Sequence, residues 1–147
     1  MEPDLSGPWS ASEISEYLSR NAFPLRLSCV GEDGFPRVVS VWFRYDDGVF
    51  QCVSHRSSQL VRLLERDDRV GFEVGPNEPP YCGVRGQGRV TLSPDTDGAV
   101  LTRMLERYLG GTESGLAQWL LSRADGEMLI TIDPVRLFSW DYRSRMD

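Results

Sequence analysis

The chain has no lysine: its 16 basic residues are all arginine, against 22 acidic residues and a net charge of −6. Arginine codon bias in a GC-rich genome and a salt-adapted acidic surface both yield such a composition. The acidic balance argues against nucleic-acid binding through a basic face, because phosphate neutralisation needs clustered cations. Histidine occurs once, as His55, and cysteine three times, as Cys29, Cys52 and Cys82, with no Cys-x-x-Cys pair. This poverty speaks against a structural zinc site, which usually needs four Cys or His ligands, and no metal is expected. One histidine among scattered carboxylates offers neither a Ser-His-Asp arrangement nor an acid/base pair at a defined spacing. No apolar run approaches the ~20 residues that span a bilayer, so no membrane partner is expected. The opening residues, Met1-Glu-Pro-Asp-Leu-Ser6, are acidic and polar, unlike a signal peptide. With an odd number of cysteines, that reads as free thiols in the cytoplasm.

What is present suits one globular domain over residues 1–147, with 40% hydrophobic and 26% charged residues. There is no repeat, low-complexity stretch or linker. A helix is expected first, capped by Ser10 or Ser12, with Glu13 in its first turn and Ile14, Tyr17 and Leu18 on one face. Three strands follow, 24–30, 37–45 and 49–53, joined by the turns Gly31–Gly34 and Asp46–Gly48 as a meander. A second helix carries Leu60, Val61, Leu63 and Leu64 on one side and ends at Asp67-Asp68. Strands are expected over 69–74 and 81–92. Ser93 and Pro94 read as the start of a helix with the stripe Val100, Leu101, Met104, Leu105 and Tyr108, stopped by Gly110-Gly111. A short helix over 115–123 carries Leu116, Trp119 and Leu120, with Trp119 read as a core or dimer contact. Two strands, 127–133 and 135–142, are separated by Pro134. Seven short strands with peripheral helices suggest a barrel.

The segment from strand 49–53 into the second helix is chemically dense. Ser54, His55, Arg56, Ser57 and Ser58 set three hydroxyls, an imidazole and a guanidinium at a helix start, where unpaired N–H groups and the dipole favour a phosphate. Arg56 offers a fork-shaped cation, and Arg37 a second one. Each serine taken alone reads more readily as an ordinary helix cap than as a ligand. Gly83, Gly86 and Gly88 lack both the spacing and the following helix of a dinucleotide loop. They read instead as bulges, bends or points of close approach within a strand.

The order of Pro36-Arg37-Val-Val-Ser-Val-Trp42-Phe43, Asp-Asp-Gly48-Val-Phe, Ser54-His-Arg-Ser-Ser58, Val61-Arg-Leu-Leu64 and Asp68-Arg-Val70 resembles the pyridoxamine 5′-phosphate oxidase-like flavin-binding split barrels. Glu78-Pro-Pro-Tyr81, Val84-Arg-Gly-Gln-Gly88 and Phe138-Ser-Trp-Asp-Tyr142 resemble one subgroup of them. The resemblance spans roughly residues 10 to 146 and implies a mainly β fold, an antiparallel split barrel of six to seven strands. It also implies an obligate homodimer with two flavin mononucleotides (FMN) at the subunit interface. In that arrangement Arg37 meets the flavin phosphate, and Val39, Ser40, Val41 and Trp42 run along the isoalloxazine and ribityl edge. Ser54 to Ser58 hold the phosphate, and Arg85 and Trp140 complete the pocket from the same or the other subunit. The chain departs from true oxidases at Ser58 and Gln59, where they carry Arg-Lys, and at Trp42, which replaces a lysine meeting the flavin. The oxidases' substrate-phosphate residues have no match in Trp140–Met146. The expectation is therefore an FMN-dependent oxidoreductase acting on an unidentified small molecule. Some relatives bind a deazaflavin coenzyme or haem, so a non-catalytic carrier is the alternative, with His55 the only histidine available to haem.

Overall fold

A computed structural model of the chain describes residues 2–146; Met1 and Asp147 lie outside the described residues. Among the described residues, eight strands make one sheet flanked by four α-helices. Helix α1 (Ala11–Arg20) is capped by Ser10 in a reciprocal capping box with Glu13, and it buries Ile14, Tyr17 and Leu18. Strand β2 (Leu25–Val30) alternates as expected, with Leu25, Leu27 and Cys29 buried. Helix α2 (Gln59–Arg66) buries Leu60, Val61, Leu63 and Leu64. A three-residue strand, β1 (Asp4–Ser6), pairs in parallel with the last strand. It is too short to carry a period legible in sequence.

The expected strand 37–45 is two strands, β3 (Pro36–Val41) and β4 (Arg44–Asp46), interrupted at Trp42 and Phe43. The meander is thereby lost. β3 pairs with β2, while β4 pairs with β5 (Val49–His55) at the opposite end of the order β3-β2-β6-β7-β8-β5-β4. The two sheet edges are thus separated by only two residues of chain, so the sheet curls into a barrel whose seam stays unpaired.

The Tyr108 side chain bridges the break at the seam. Phe43 has no ladder partner, and its N–H donates to Tyr108 Oη at 3.1 Å. The same hydroxyl donates to the carbonyl of Phe23 at 2.9 Å, with the Phe43 carbonyl at 3.2 Å. Backbone groups that a continuous strand would have paired are satisfied from a helix instead. The Trp42 indole stacks on Tyr108, centroids 5.0 Å apart and planes 6° apart.

Three further boundaries differ from expectation. β6 (Arg69–Val74) pairs with β7 (Cys82–Pro94), which absorbs Ser93 and Pro94. Helix α3 (Ala99–Leu109) starts later, behind a left-handed Gly98. Its cap is the buried Asp95, whose two carboxylate oxygens accept the Val100 and Leu101 N–H groups, each at 3.0 Å. The last two expected strands are one, β8 (Glu127–Asp141). Pro134 sits at a register shift, where Gly88 faces Pro134 and Gln87 faces Arg136. Val135 is left as the extra residue of a bulge, and a bulge tolerates the missing proline N–H. Helix α4 (Gly115–Ser122) is capped by Ser114.

The glycines of β7 serve close approach. A Cβ on Gly83 would lie 2.5 Å from the Val74 carbonyl and 2.6 Å from the Trp140 ring. Backbone and indole, rather than a ligand, occupy that space. The main core fills the barrel around Leu25, Leu27, Phe43, Phe50, Ile130 and Ile132. A smaller cluster, Leu101, Leu105 and Ala117, lies under α3 and α4, with Trp42, Val53 and Leu120 packed against it. Among the described residues no helix is long and apolar enough to cross a membrane.

Candidate functional site

Strand β3 runs along two adjoining hollows. The first, about 280 Å³, lies between β3 and the first turns of α2 and is lined by Arg37, Val39, Gln59 and Leu60 among others. The second, about 400 Å³, is lined by Ser40, Val41, Trp42, Val53, Ser54 and His55 on the barrel side. Its far wall is Leu101 of α3, Leu116 and Leu120 of α4, Arg123 and Glu127. β3 is an edge strand, so its outer N–H and C=O groups are free of the ladder. From Arg37 to Trp42 the strand advances about 16 Å at the usual rise per residue. The two hollows therefore form one path along an open backbone edge.

Between them stands the loop expected to bind phosphate. Ser54 and His55 belong to β5, paired with Met128 and Glu127, and are not loop residues. The Ser54 hydroxyl donates to Ser58 Oγ at 2.9 Å, and Ser58 caps α2 by accepting the Val61 N–H at 3.1 Å. Ser57 donates its N–H to His55 Nδ1 at 3.2 Å, with its hydroxyl 2.7 Å from the same nitrogen. The rest of the imidazole abuts Gly126, where any Cβ would collide with it. The serines and the histidine thus spend much of their capacity on building the turn. Arg56 and Ser57 are exposed. Among the described residues, Arg37 and Arg56 have no hydrogen-bonded or ionic side-chain partner. Ser40 accepts from Arg26 Nη1 at 2.7 Å.

Arg85 and Trp140 stand elsewhere. They line a separate hollow of about 360 Å³ with Tyr81, Phe138 and Tyr142. Arg85 lies over the Phe138 ring at 4.4 Å. Asp141 beside this hollow accepts a two-pronged contact from Arg143, which holds its carboxyl down at about 2. One subunit therefore groups Arg37 with Val39, and Ser40, Val41 and Trp42 with Ser54 and His55, but leaves Arg85 and Trp140 apart. Trp119 is 54% exposed under the Arg123 guanidinium at 4.8 Å, so it is not a core residue.

Glu127 and Arg123 carried no signal in the sequence. Leu116 and Leu120 on α4 and Arg123 just past its end do repeat at helical spacing, a pattern that marks a wall without saying what it faces. Glu127 is buried, and burial raises its carboxyl above the ordinary range. His55 and Arg123 pull the other way, and Asp95 adds to the rise. Cys52 behind the cleft is fully buried and pushed up to about 12, an inert thiol. Among the described residues no group of three or more His, Cys, Asp or Glu is placed to hold a metal ion.

No protein-family model and no curated protein matches the sequence. Solved structures do match. The conserved hypothetical protein Rv2991 of Mycobacterium tuberculosis aligns with a TM-score of 0.78 at 23% identity, over 95% of this chain and 89% of that one. An F420 reductase aligns with a TM-score of 0.71 at 24% identity, over 83% and 94%. A candidate pyridoxamine 5′-phosphate oxidase from Listeria innocua aligns at 0.65 and 17%, over 86% and 94%. With its curled antiparallel sheet, unpaired seam and flanking helices, the chain has the split-barrel fold of the pyridoxamine 5′-phosphate oxidase-like class.

Proposed function

We propose that the protein binds FMN along β3 and serves as a flavin-dependent oxidoreductase for a small molecule, as a cytoplasmic homodimer. One observation carries this reading. Two arginines without side-chain partners among the described residues lie near the start of α2, Arg37 lining the hollow beside its first turn and Arg56 exposed in the turn that precedes it, and the edge strand that carries Arg37 leads on to an apolar cleft at Trp42. A helix start with adjacent guanidinium forks suits a phosphate, and a mainly apolar slot suits a ring system. The likeness in fold to an F420 reductase and to a candidate pyridoxamine 5′-phosphate oxidase supports a flavin-type cofactor. When bound, the flavin supplies the redox chemistry; the chain binds it, orients it and excludes water around it. His55, the one histidine that would hold haem iron, has Nδ1 engaged by Ser57 and its ring packed on Gly126, so flavin is favoured over haem.

Two features support the dimer. Phe35 and Val38 are 71% and 68% exposed beside Arg37 on the open edge, an apolar strip that a second copy would cover. The Arg85–Trp140 hollow, separate within one subunit, would complete the cofactor site from the other. Light scattering is expected to give twice the 16.6 kDa chain mass, and a monomer fully loaded with flavin would overturn the dimer. Three buried, unpaired cysteines agree with a reducing compartment.

The purified protein is expected to show bands near ~370 and ~450 nm, the usual flavin pair, whereas one band near ~420 nm would point to deazaflavin or haem. Arg56→Ala is expected to weaken FMN by about 1.5–3 kcal/mol, the range for a charged hydrogen bond. A colourless protein that takes up no added FMN would refute the proposal.

A further inference from the structure

Three side chains that line the 400 Å³ cleft keep polar atoms unpaired among the described residues, and they differ in what they offer. Glu127 on β8 is only 7% exposed, yet its carboxyl accepts no hydrogen bond and joins no ion pair there. Arg123, just past the end of α4, has its guanidinium over the Trp119 ring at 4.8 Å and no hydrogen-bonded acceptor. His55 faces Glu127 across the β5–β8 ladder. Its Nδ1 accepts the Ser57 N–H at 3.2 Å, so the neutral ring carries its proton on Nε2, a donor. Asp95, the remaining charged group near Glu127, spends both oxygens on Val100 and Leu101. Glu127 and Arg123 are opposite charges in one cleft, yet they form no ion pair with each other. A half-dry carboxylate without a donor is unfavourable unless a ligand supplies one.

The cleft thus presents one acceptor and two donors among apolar walls that include Val41, Trp42 and Leu101. A flat ring whose edge offers one donor and two acceptors complements it, and a cyclic imide, with its N–H between two carbonyls, has that edge. A ring edged with carboxylates would meet Glu127, and one bearing an ammonium would meet Arg123 and His55, so the set disfavours both. We infer that Glu127, Arg123 and His55 select the cofactor by its imide edge: Glu127 receives the imide N–H, and Arg123 and His55 Nε2 donate to the two carbonyls. The inference deepens the flavin reading above and rests on it. Flavin and deazaflavin rings both carry an imide edge, whereas haem is edged with carboxylates.

Methylating the imide nitrogen removes the one donor and leaves both carbonyls in place. Fluorescence titration of the purified protein is expected to show FMN binding about 10–100-fold tighter than N3-methyl-FMN, the span of one charged hydrogen bond. Glu127→Ala is expected to bind the two about equally. Glu127→Gln, whose amide carbonyl still accepts, should restore part of the preference and decides the matter should Glu127→Ala not fold. Arg123 is exposed, so Arg123→Ala should stay folded. It is expected to weaken FMN and N3-methyl-FMN alike, by about 10-fold or more, and to leave their ratio intact. Equal wild-type affinities, a preference that survives Glu127→Ala, or unchanged FMN affinity in Arg123→Ala would each overturn the inference while leaving flavin uptake standing. A protein that takes up no FMN but prefers deazariboflavin over its N3-methyl derivative through Glu127 would uphold the inference and replace the cofactor. Uptake of neither ring would refute both readings.

Discussion

Phe50→Ala is expected to lower the unfolding free energy by about 3–5 kcal/mol, the range for truncating a buried phenylalanine. Phe50 is fully buried on β5, and its ring meets three others, with centroids 4.7 Å from Tyr45, 4.7 Å from Phe72 and 6.0 Å from Phe43. Those rings come from β4, from β6 and from the seam between β3 and β4, so Phe50 ties distant parts of the curled sheet together. Removing it leaves a cavity bounded by rings fixed on separate strands, and such a site collapses poorly. Urea denaturation is the check: the midpoint should fall with little change in slope, and Phe50→Leu should recover more than half of the loss. A loss below about 1 kcal/mol would mean that the barrel closes without this ring.

Asp95→Ala is expected to cost about 2–4 kcal/mol. That loss combines a helix cap with charged hydrogen bonds to two backbone N–H groups. Asp95→Asn keeps one good acceptor and should lose about half as much. The effect should be local before it is global. The Val100 and Leu101 amides should exchange faster than those of β7, because the start of α3 opens first. Tyr108 lies on that helix and holds the Trp42–Phe43 seam, so near-ultraviolet dichroism from the stacked indole should weaken as well. Unchanged amide exchange at both positions would assign the cap to another group.

Local rules were legible wherever neighbours in sequence are also neighbours in space. Ser10 and Glu13 close their capping box within one turn, the alternation of β2 needs only its own period, and Gly110 ends α3 by adopting the left-handed region. The break at Trp42–Phe43 was not legible, because residues on both sides are β-branched or aromatic and favour strand. What interrupts them is the hydroxyl of Tyr108, 65 positions away. Pro134 reads as a strand breaker on its own, but the facing register shift at Gln87–Gly88 absorbs it. Ser93 and Pro94 resemble a helix start, but Asp95 and Gly98 displaced the true start by several residues.

The site divides along the same line. Arg37 to Trp42 and Ser54 to Ser58 stood out because each is dense within a few residues; the first segment and, of the second, Ser54 and His55 line the hollows along β3. The opposite wall did not, since Leu116, Leu120, Arg123 and Glu127 are ordinary residues until α4 and β8 fold against β5. The sequence by itself determined the mainly β class, the four helices, the burial of the alternating positions and the basic, hydroxyl-rich turn before α2. Tertiary structure alone decided where the sheet opens, that Arg85 and Trp140 lie apart from the rest, and that Glu127 faces the cleft without a partner. The physical reason is that alternation and capping are set by the chain's own periods, whereas a seam, a cleft or an unpaired buried charge exists only when segments far apart in sequence meet.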